Sequence, residues 1–500
     1  MFFTKEINVS RVIILFSITS LIIIALFLRL YKIDKLVGYY GDQGRDLLEV
    51  QRNIRSGTLP LQGPSASVGN FHLGPIYYLL IIPSFILFNG SPLFVITPNL
   101  LGNILLILLS FFILLKLFGF ETAFVFASLL TFSPHYIDLS RGSWNPNLQP
   151  ALSFFIVSPF LYYLKLSKDR FLFLSFFIFG IGIQLHYTFI SLLLPIFISL
   201  IIFKKQDFLK VKFWRIVSLG ILIPLLPFLF GQVINNYQDL IGIWEYLQNN
   251  STSQNRLINI RPFLDRLIYP FNLYFAPEYL SWFFTFFAFP IILVTVIINT
   301  LFSFKMPEKR LPITLFLIFL LSSAFVAMIM RFNYYWHYHA SYSIYLLVLI
   351  SILIGVTLKI KYLRILSFAF FCFLLLWEVF NISHIYSVKR SIALVEGVSN
   401  QIVADAKQRN DNSLGIFLLS PLTPSEGFEY QYLIEKARLK TYSSSGPLVA
   451  DYLIVENTGQ DKNGLNMSTN GRIVHFIGNI NLNDESLVIK SIDIYRLDKI

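Results

Sequence analysis

The apolar residues of this chain are gathered into blocks nearly free of charge, at 9–30, 92–117, 121–137, 148–166, 170–186, 187–203, 213–231, 281–304, 311–330, 340–358 and 363–383. Each holds 17 residues or more, and helical segments of about that length cross the roughly 30 Å hydrocarbon core of a bilayer. The pattern therefore predicts eleven membrane spans. The first is longer than a usual signal core and lacks a small-x-small cleavage site, so it is read as an anchor. A further stretch, 73–88, is short and contains Pro83. The basic loops Lys165/Lys168/Arg170, Lys204/Lys205/Lys210/Lys212/Arg215, Lys305/Lys309/Arg310 and Lys359/Lys361/Arg364 follow every second block. They share the side of the N-terminus only if 73–88 does not cross. The positive-inside rule then makes 73–88 a re-entrant or interfacial helix, with the N-terminus cytoplasmic and the C-terminus outside.

Beyond residue 383 the pattern changes. Helix-like stretches at 389–408 and 426–438 alternate with β-rich runs at 414–420, 451–455, 472–478 and 486–497, the signature of a small α/β domain. The expected organisation is a membrane domain, 1–383, and an extracytoplasmic α/β domain, 384–500. The membrane domain displays external loops at 31–91, with amphipathic helices, and at 232–280.

Composition agrees with this reading. The chain is 55% hydrophobic and 14% charged, against about 45–50% and about 25% in soluble domains, which rules out a soluble globule. A net charge of +12 would suggest nucleic acid, yet the surplus sits in the cytoplasmic loops and is a topology signal; no nucleic-acid partner is expected. The single cysteine, Cys372, lies in an apolar block, so an intrachain disulfide and a cysteine-rich zinc site are excluded.

The informative charges are the few left outside. In YYGDQGRDLLEVQRNIRSG, Leu47, Val50 and Ile54 recur at helical spacing and Gly57 is placed to end the helix. Asp42 falls at its start. It reads either as an N-cap carboxylate or as a base held ionised by the helix dipole and able to take a hydroxyl proton. Asp46, with Arg45 and Glu49 nearby, reads as a solvated helix charge and is kept as a substrate-binding candidate. A second external motif, SRGSWNPNLQP (140–150), offers Trp144 as a stacking plane and Asn145 as a hydrogen-bonding group for a sugar ring, or is a loop with an interfacial Trp. Arg141 either meets a lipid phosphate or caps a span. A third, RFNYYWHYHA (331–340), sets Arg331, His337 and His339 at headgroup depth, as an aromatic belt or as a phosphate clamp. His-x-His alone makes a poor metal site, so no metal is assigned. His186, at another external span end, is either a buried core histidine or a site residue.

The order of an external Asp after the first span, a short amphipathic helix, and then FHLGPIYYLL before the next apolar block resembles the polyprenyl-phosphate-dependent membrane glycosyltransferases of the GT-C fold. These include protein O-mannosyltransferases and the lipid A aminoarabinose transferase. The resemblance is best over about 9–170. That family carries Asp-Glu in this loop, followed by His-Pro-Pro or Lys-Pro leading into Tyr-Tyr. Here Asp42 matches, Gln43 replaces the Glu, and His72 and Pro75 match with Leu73-Gly74 inserted; Tyr77 follows. The resemblance also implies an acidic residue near the second motif, where this chain has Asn145, and basic residues near the third.

The expectation is thus a polytopic α-helical membrane enzyme of about eleven transmembrane helices, GT-C-like, with a small C-terminal α/β domain. It would be a multi-pass protein of the plasma membrane and use no cofactor. It would move a sugar from a polyprenyl-phosphate donor to a glycan, lipid or protein acceptor on the outer face, with inversion and without metal. Asp42 is its catalytic base; Arg331, Arg141, His337 and His339 are donor-phosphate candidates; Asp46, His72, Tyr77, Trp144, Asn145 and His186 are substrate-binding candidates. The rival readings are a transporter or flippase of lipid-linked sugar, which the odd span count and the lack of an internal repeat count against, and a non-catalytic envelope protein with a binding tail.

Overall fold

The computed structural model describes residues 10–66, 69–251, 261–275, 281–330, 335–386, 390–420, 425–447, 449–457, 474–481 and 491–497. The chain begins with α1 (Arg11–Leu30), α2 (Ile33–Leu36), α3 (Gly41–Ser56), α4 (Ile76–Leu87), α5 (Thr97–Phe118), α6 (Phe120–Phe132), α7 (Pro134–Arg141), α8 (Gln149–Leu166) and α9 (Asp169–Leu185). It continues through α10 (Leu193–Phe208), α11 (Val211–Ile234), α12 (Gln238–Ser251), α13 (Arg261–Phe275), α14 (Ser281–Lys305), α15 (Pro307–Ile329), α16 (Trp336–Thr357) and α17 (Arg364–Ile385). Short 3₁₀ turns, Asn145–Leu148 and Tyr187–Leu192, lead into α8 and α10.

Each of the eleven apolar blocks is helical over most of its described length. Among the described residues, eight helical segments are long and apolar enough to cross a membrane; the blocks that form α6, α8 and α9 fall outside that set. The block at 121–137 is cut in two because Ser133 is extended (ψ 119°), the conformation a following proline imposes, and Pro134 then opens α7 as a favoured first helical residue. The stretch 73–88 forms only the 12-residue α4.

The bundle is organised around α16, which is apolar on every side and buried throughout its span window, as a helix without a polar face must be in a stable arrangement. Helices α6, α8, α13, α14 and α15 surround it. On the periphery, α1 and α17 turn Val12 and Ile365 outward, 75% and 83% exposed. Such faces suit hydrocarbon, where exposure of an apolar side chain carries no hydration cost.

The tail comprises α18 (Ile392–Gln408), β1 (Ser413–Leu419), α19 (Phe428–Lys436), β2 (Lys440–Ser443), β3 (Tyr452–Asn457), β4 (Val474–Asn481) and β5 (Ser491–Leu497). Its sheet has the order β2-β1-β3-β5-β4. Strand β1 is parallel to β2 and β3, and β5 is antiparallel to β3 and β4. Side chains alternate between faces: Ile416, Leu418, Tyr452 and Ile454 enter the larger core, whereas Leu453 and Val455 enter a small one behind.

That larger core is shared. It joins Val395, Val398 and Ile402 of the tail to Val37, Tyr39, Leu47, Leu48 and Val50 of the first external segment and to Tyr77, Tyr78 and Ile81 of α4. A bridge between Gly38 and Ser391 ties the two main chains together. The tail and the segment at 31–91 are packed as one body.

Candidate active site

The site starts from the way α3 begins. Tyr40, the residue before the helix, is extended (φ −127°, ψ 173°), and its N–H donates to Gln43 Oε1 at 2.8 Å. Gln43 therefore acts locally, closing the helix start as a third-position side chain can. Asp42 lies in the first turn, where the dipole favours a negative charge. It is not the N-cap, and its carboxylate turns instead to the next turn of the helix. Arg45 donates from Nη1 to Asp42 Oδ1 at 3.0 Å and to Ser65 Oγ at 3.3 Å, and from Nε and Nη2 to Asp46 Oδ1 at 3.0 and 2.9 Å.

The two carboxylates of this ladder differ sharply. The Asp42 side chain is 46% exposed and that of Asp46 is 0% exposed. Tyr78 donates its hydroxyl to Asp46 Oδ1 at 3.1 Å. Burial outweighs the adjacent guanidinium and pushes the Asp46 carboxyl up to about 6. Asp46 is thus a buried anchor for Arg45, which corrects its reading as a solvated charge. Arg45, paired on both sides, is held charged.

In front of Asp42 lies a shallow cleft, open to solvent, lined by Asp42, Arg45, Pro64, Ser65, Ala66, Leu73, Trp144, Asn145, Pro146, His186, Tyr187 and His337. These residues come from six separate stretches of the chain. The Trp144 loop is fixed by Asn99, whose Nδ2 donates to the carbonyls of Gly142 and Trp144 at 2.7 and 3.0 Å, and by Asn145, whose amide donates to the Leu185 carbonyl. The Trp144 ring meets His337 edge to face, 5.0 Å between centroids, and His337 lies 5.3 Å from the His186 ring. His186 Nδ1 is held by Thr188, 2.8 Å from its Oγ1 and 3.4 Å from its N–H. Among the described lining residues Asp42 is the one carboxylate, and the opposite wall is aromatic and imidazole.

Several expected site residues stand elsewhere. Arg141 donates from Nη1 and Nη2 to the carbonyls of Leu28, Arg29, Tyr31 and Leu36, all at 3.2 or 3.3 Å, and lies over the Tyr386 ring. It satisfies the end of α1, where helix carbonyls lack partners. It does not line the cleft, which corrects the phosphate role expected for it. His337 and His339 diverge: His339 is buried, 2.6 Å from the Tyr342 hydroxyl and 3.3 Å from Arg266 Nη1. Tyr77 is buried and bonded to Ser143 at 3.0 Å, behind the cleft wall. Arg331 lies outside the described residues.

His72 stands at the margin, next to Leu73. Its N–H and Nδ1 both reach Asp239 Oδ1, at 2.8 and 2.9 Å. Asp239, at the start of α12, also accepts from Gln62 and Gln232 at 2.9 and 2.7 Å. Burial alone would raise its carboxyl, but these hydrogen bonds hold it below the usual carboxylate range. Neither Asp239 nor Arg45 was singled out by sequence. Arg45 had a signal, its i,i+3 spacing from Asp42; Asp239 meets His72 across 167 residues and had none.

Residues 72–230 match the family model for dolichyl-phosphate-mannose-protein mannosyltransferases. That stretch carries His72, Trp144, Asn145 and His186 but not Asp42 or His337. No curated protein sequence matches the chain. Among solved structures, the archaeal oligosaccharyltransferase AglB from Archaeoglobus fulgidus, in complex with an inhibitory peptide and a dolichol-phosphate, is similar at TM-score 0.52 and 11% identity, covering 89% of this chain and 69% of that one. The same oligosaccharyltransferase tethered with an acceptor peptide containing the NVT sequon gives 0.50 and 13%, over 89% and 69%. ArnT from Cupriavidus metallidurans bound to undecaprenyl phosphate gives 0.48 and 10%, over 95% and 97%.

The fold is that of the GT-C membrane glycosyltransferases, so the resemblance read from the first external segment is borne out. At these identities the likeness to the solved structures is one of fold.

Proposed function

We propose that the chain is a membrane glycosyltransferase that moves a sugar from a polyprenyl-phosphate donor to an acceptor hydroxyl at the outer face of the plasma membrane, with the N-terminus cytoplasmic and the tail outside. The observation that carries this reading is the cleft that sets the exposed Asp42 across from Trp144, Asn145, His186 and His337. It offers one base, a stacking plane for a sugar ring and hydrogen-bond donors in a single concavity.

In the reaction, Asp42 takes the proton of the acceptor hydroxyl. The oxygen attacks the anomeric carbon from the face opposite the phosphate, the bond from that carbon to the phosphate oxygen breaks, and the polyprenyl phosphate leaves with the electron pair. The product has inverted configuration, and no step calls for a metal. Arg45 orients Asp42 by its 3.0 Å bond. The charge growing on the leaving phosphate is met by the imidazoles of the cleft, His186 and His337, donors held in place before the reaction begins; Arg331 is the further donor-phosphate candidate by its charge.

The test is to incubate the purified full chain in liposomes with a polyprenyl-phosphate sugar and an acceptor extract, and to assay free polyprenyl phosphate. The proposal expects its release together with glycosylated acceptor. Movement of the intact lipid-linked sugar across the bilayer without cleavage would overturn it in favour of a transporter.

A further inference from the structure

Arg390 closes the junction between the tail and the first external segment. It is 1% exposed and engaged on three sides. Nη1 donates to the Tyr39 carbonyl at 2.6 Å, Nε donates to Glu456 Oε1 at 2.7 Å, and Nη2 lies 2.6 Å from Glu429 Oε1. The guanidinium also faces the Tyr430 ring at 5.0 Å, and the Tyr430 hydroxyl donates to Glu456 Oε1 at 2.7 Å. The main chains pair as well, the Tyr39 N–H donating to the Arg390 carbonyl at 3.1 Å. Tyr39 is therefore gripped through both of its backbone groups. It immediately precedes the residue that opens α3, three positions before Asp42.

The second arm of this arrangement returns to the same helix. Glu429, in the first turn of α19, has its backbone against Gly44: a Cβ added there would lie 2.2 Å from Glu429 N. The residue that pairs with Arg390 thus also abuts α3, one position before Arg45.

Joining two apolar surfaces does not call for this. A buried ion network adds little net stability over well-packed apolar residues. A planar guanidinium with a fixed fork of donors supplies direction instead, holding its partners at set angles as a flexible ammonium does not. Here the fork holds the Tyr39 carbonyl, one residue before Tyr40, whose own carbonyl accepts the first bond of α3 from the Gly44 N–H at 3.0 Å. We propose that Arg390 is a positioning residue for the transfer reaction, fixing the start of α3, and with it Asp42, from the tail. This rests on the reading of Asp42 as the base. The tail is then a working part of the active site, beyond any contact with the acceptor.

The test is Arg390→Lys in the full-length purified protein, with two readouts: amide hydrogen exchange at the start of α3, and the split between kcat and donor KM. The proposal expects faster exchange over residues 40–46 with the sheet amides still protected. It also expects kcat per folded molecule to fall by about 10²-fold, the cost of a misplacement of about 1 Å, at unchanged KM. A merely structural role would lower the yield of folded protein and leave kcat per folded molecule intact. Unchanged exchange at α3, or faster exchange with full kcat, overturns the proposal. Should Arg390→Lys not fold, Glu456→Gln keeps the arginine and loosens one arm of its fork, and is read in the same two ways. Full transfer by Asp42→Asn would instead sink the reading of the base, and the exchange readout would still report on the clamp.

Discussion

Gly44→Ala isolates the contact between α3 and the tail. Gly44 sits inside α3 against the backbone of α19, where an added Cβ would come within 2.2 Å of Glu429 N and 2.3 Å of Glu429 Cα. Ordinary contact begins at 3.4 Å, so the two helices must separate by about 1.2 Å, because backbone on both sides has no rotamer with which to yield. Overpacking of this kind costs about 1–3 kcal/mol. Alanine returns about 1 kcal/mol in a helix interior. The net loss of stability is therefore small, about 0–2 kcal/mol by these figures. The loss of rate is large by comparison: a displacement of about 1 Å in a reacting group costs on the order of 10²-fold, and Asp42 and Arg45 flank Gly44 on the same helix. Melting temperature and kcat should be measured on the same preparation. Gly397→Ala is the control, since its Cβ would meet Ile480 at 3.7 Å and so should cost neither stability nor rate. A Gly44→Ala protein with wild-type kcat would refute the claim that the seating of α3 on the tail sets the geometry of the site.

Two further outcomes follow from the charges around the cleft. The Asp46 carboxyl is raised from 3.8 to about 6, so the folded state holds a proton that the unfolded state releases; its contribution to stability is fully present below the lower value and declines as pH rises through that window. Thermal melts across the window should show the decline in the wild type and its absence in Asp46→Asn, and identical pH dependence of the two would contradict the assignment. Asp239→Asn leaves His72, Gln62 and Gln232 to compete for one acceptor oxygen. It should destabilise by about 1–3 kcal/mol and speed amide exchange in the loop at 62–73, and exchange unchanged there would show that Asp239 does not hold the loop.

The helices of the membrane domain were legible because they depend on local composition: a block of apolar residues forms a helix in a bilayer whatever it packs against. The break at Ser133-Pro134 was written in the proline yet lost inside a continuous apolar run. Strand β2, KTYS, was missed because it is four residues long and mostly polar, and it gains its order by pairing with β1. The cleft was legible where its residues carry their own chemical signature, as Asp42, Trp144 and His337 do. Asp46 was misread because its lid, Tyr78, lies 32 residues on; a helix viewed alone cannot show that its polar face is covered. Arg141 was misplaced for a related reason. A basic residue at a span end suits both a lipid phosphate and the carbonyls of a neighbouring helix, and only the packing of α7 against α1 decides between them.

Asp42, on the proposed reading, is the base of a transfer from a polyprenyl-phosphate sugar. That role is tested most directly by the transfer rate of Asp42→Asn in the purified full chain, with the wild-type melting temperature as the check on folding. The variant should insert and fold normally and lose about 10²–10⁴-fold in kcat, the contribution of a general base. Transfer at the wild-type rate by that variant would contradict it.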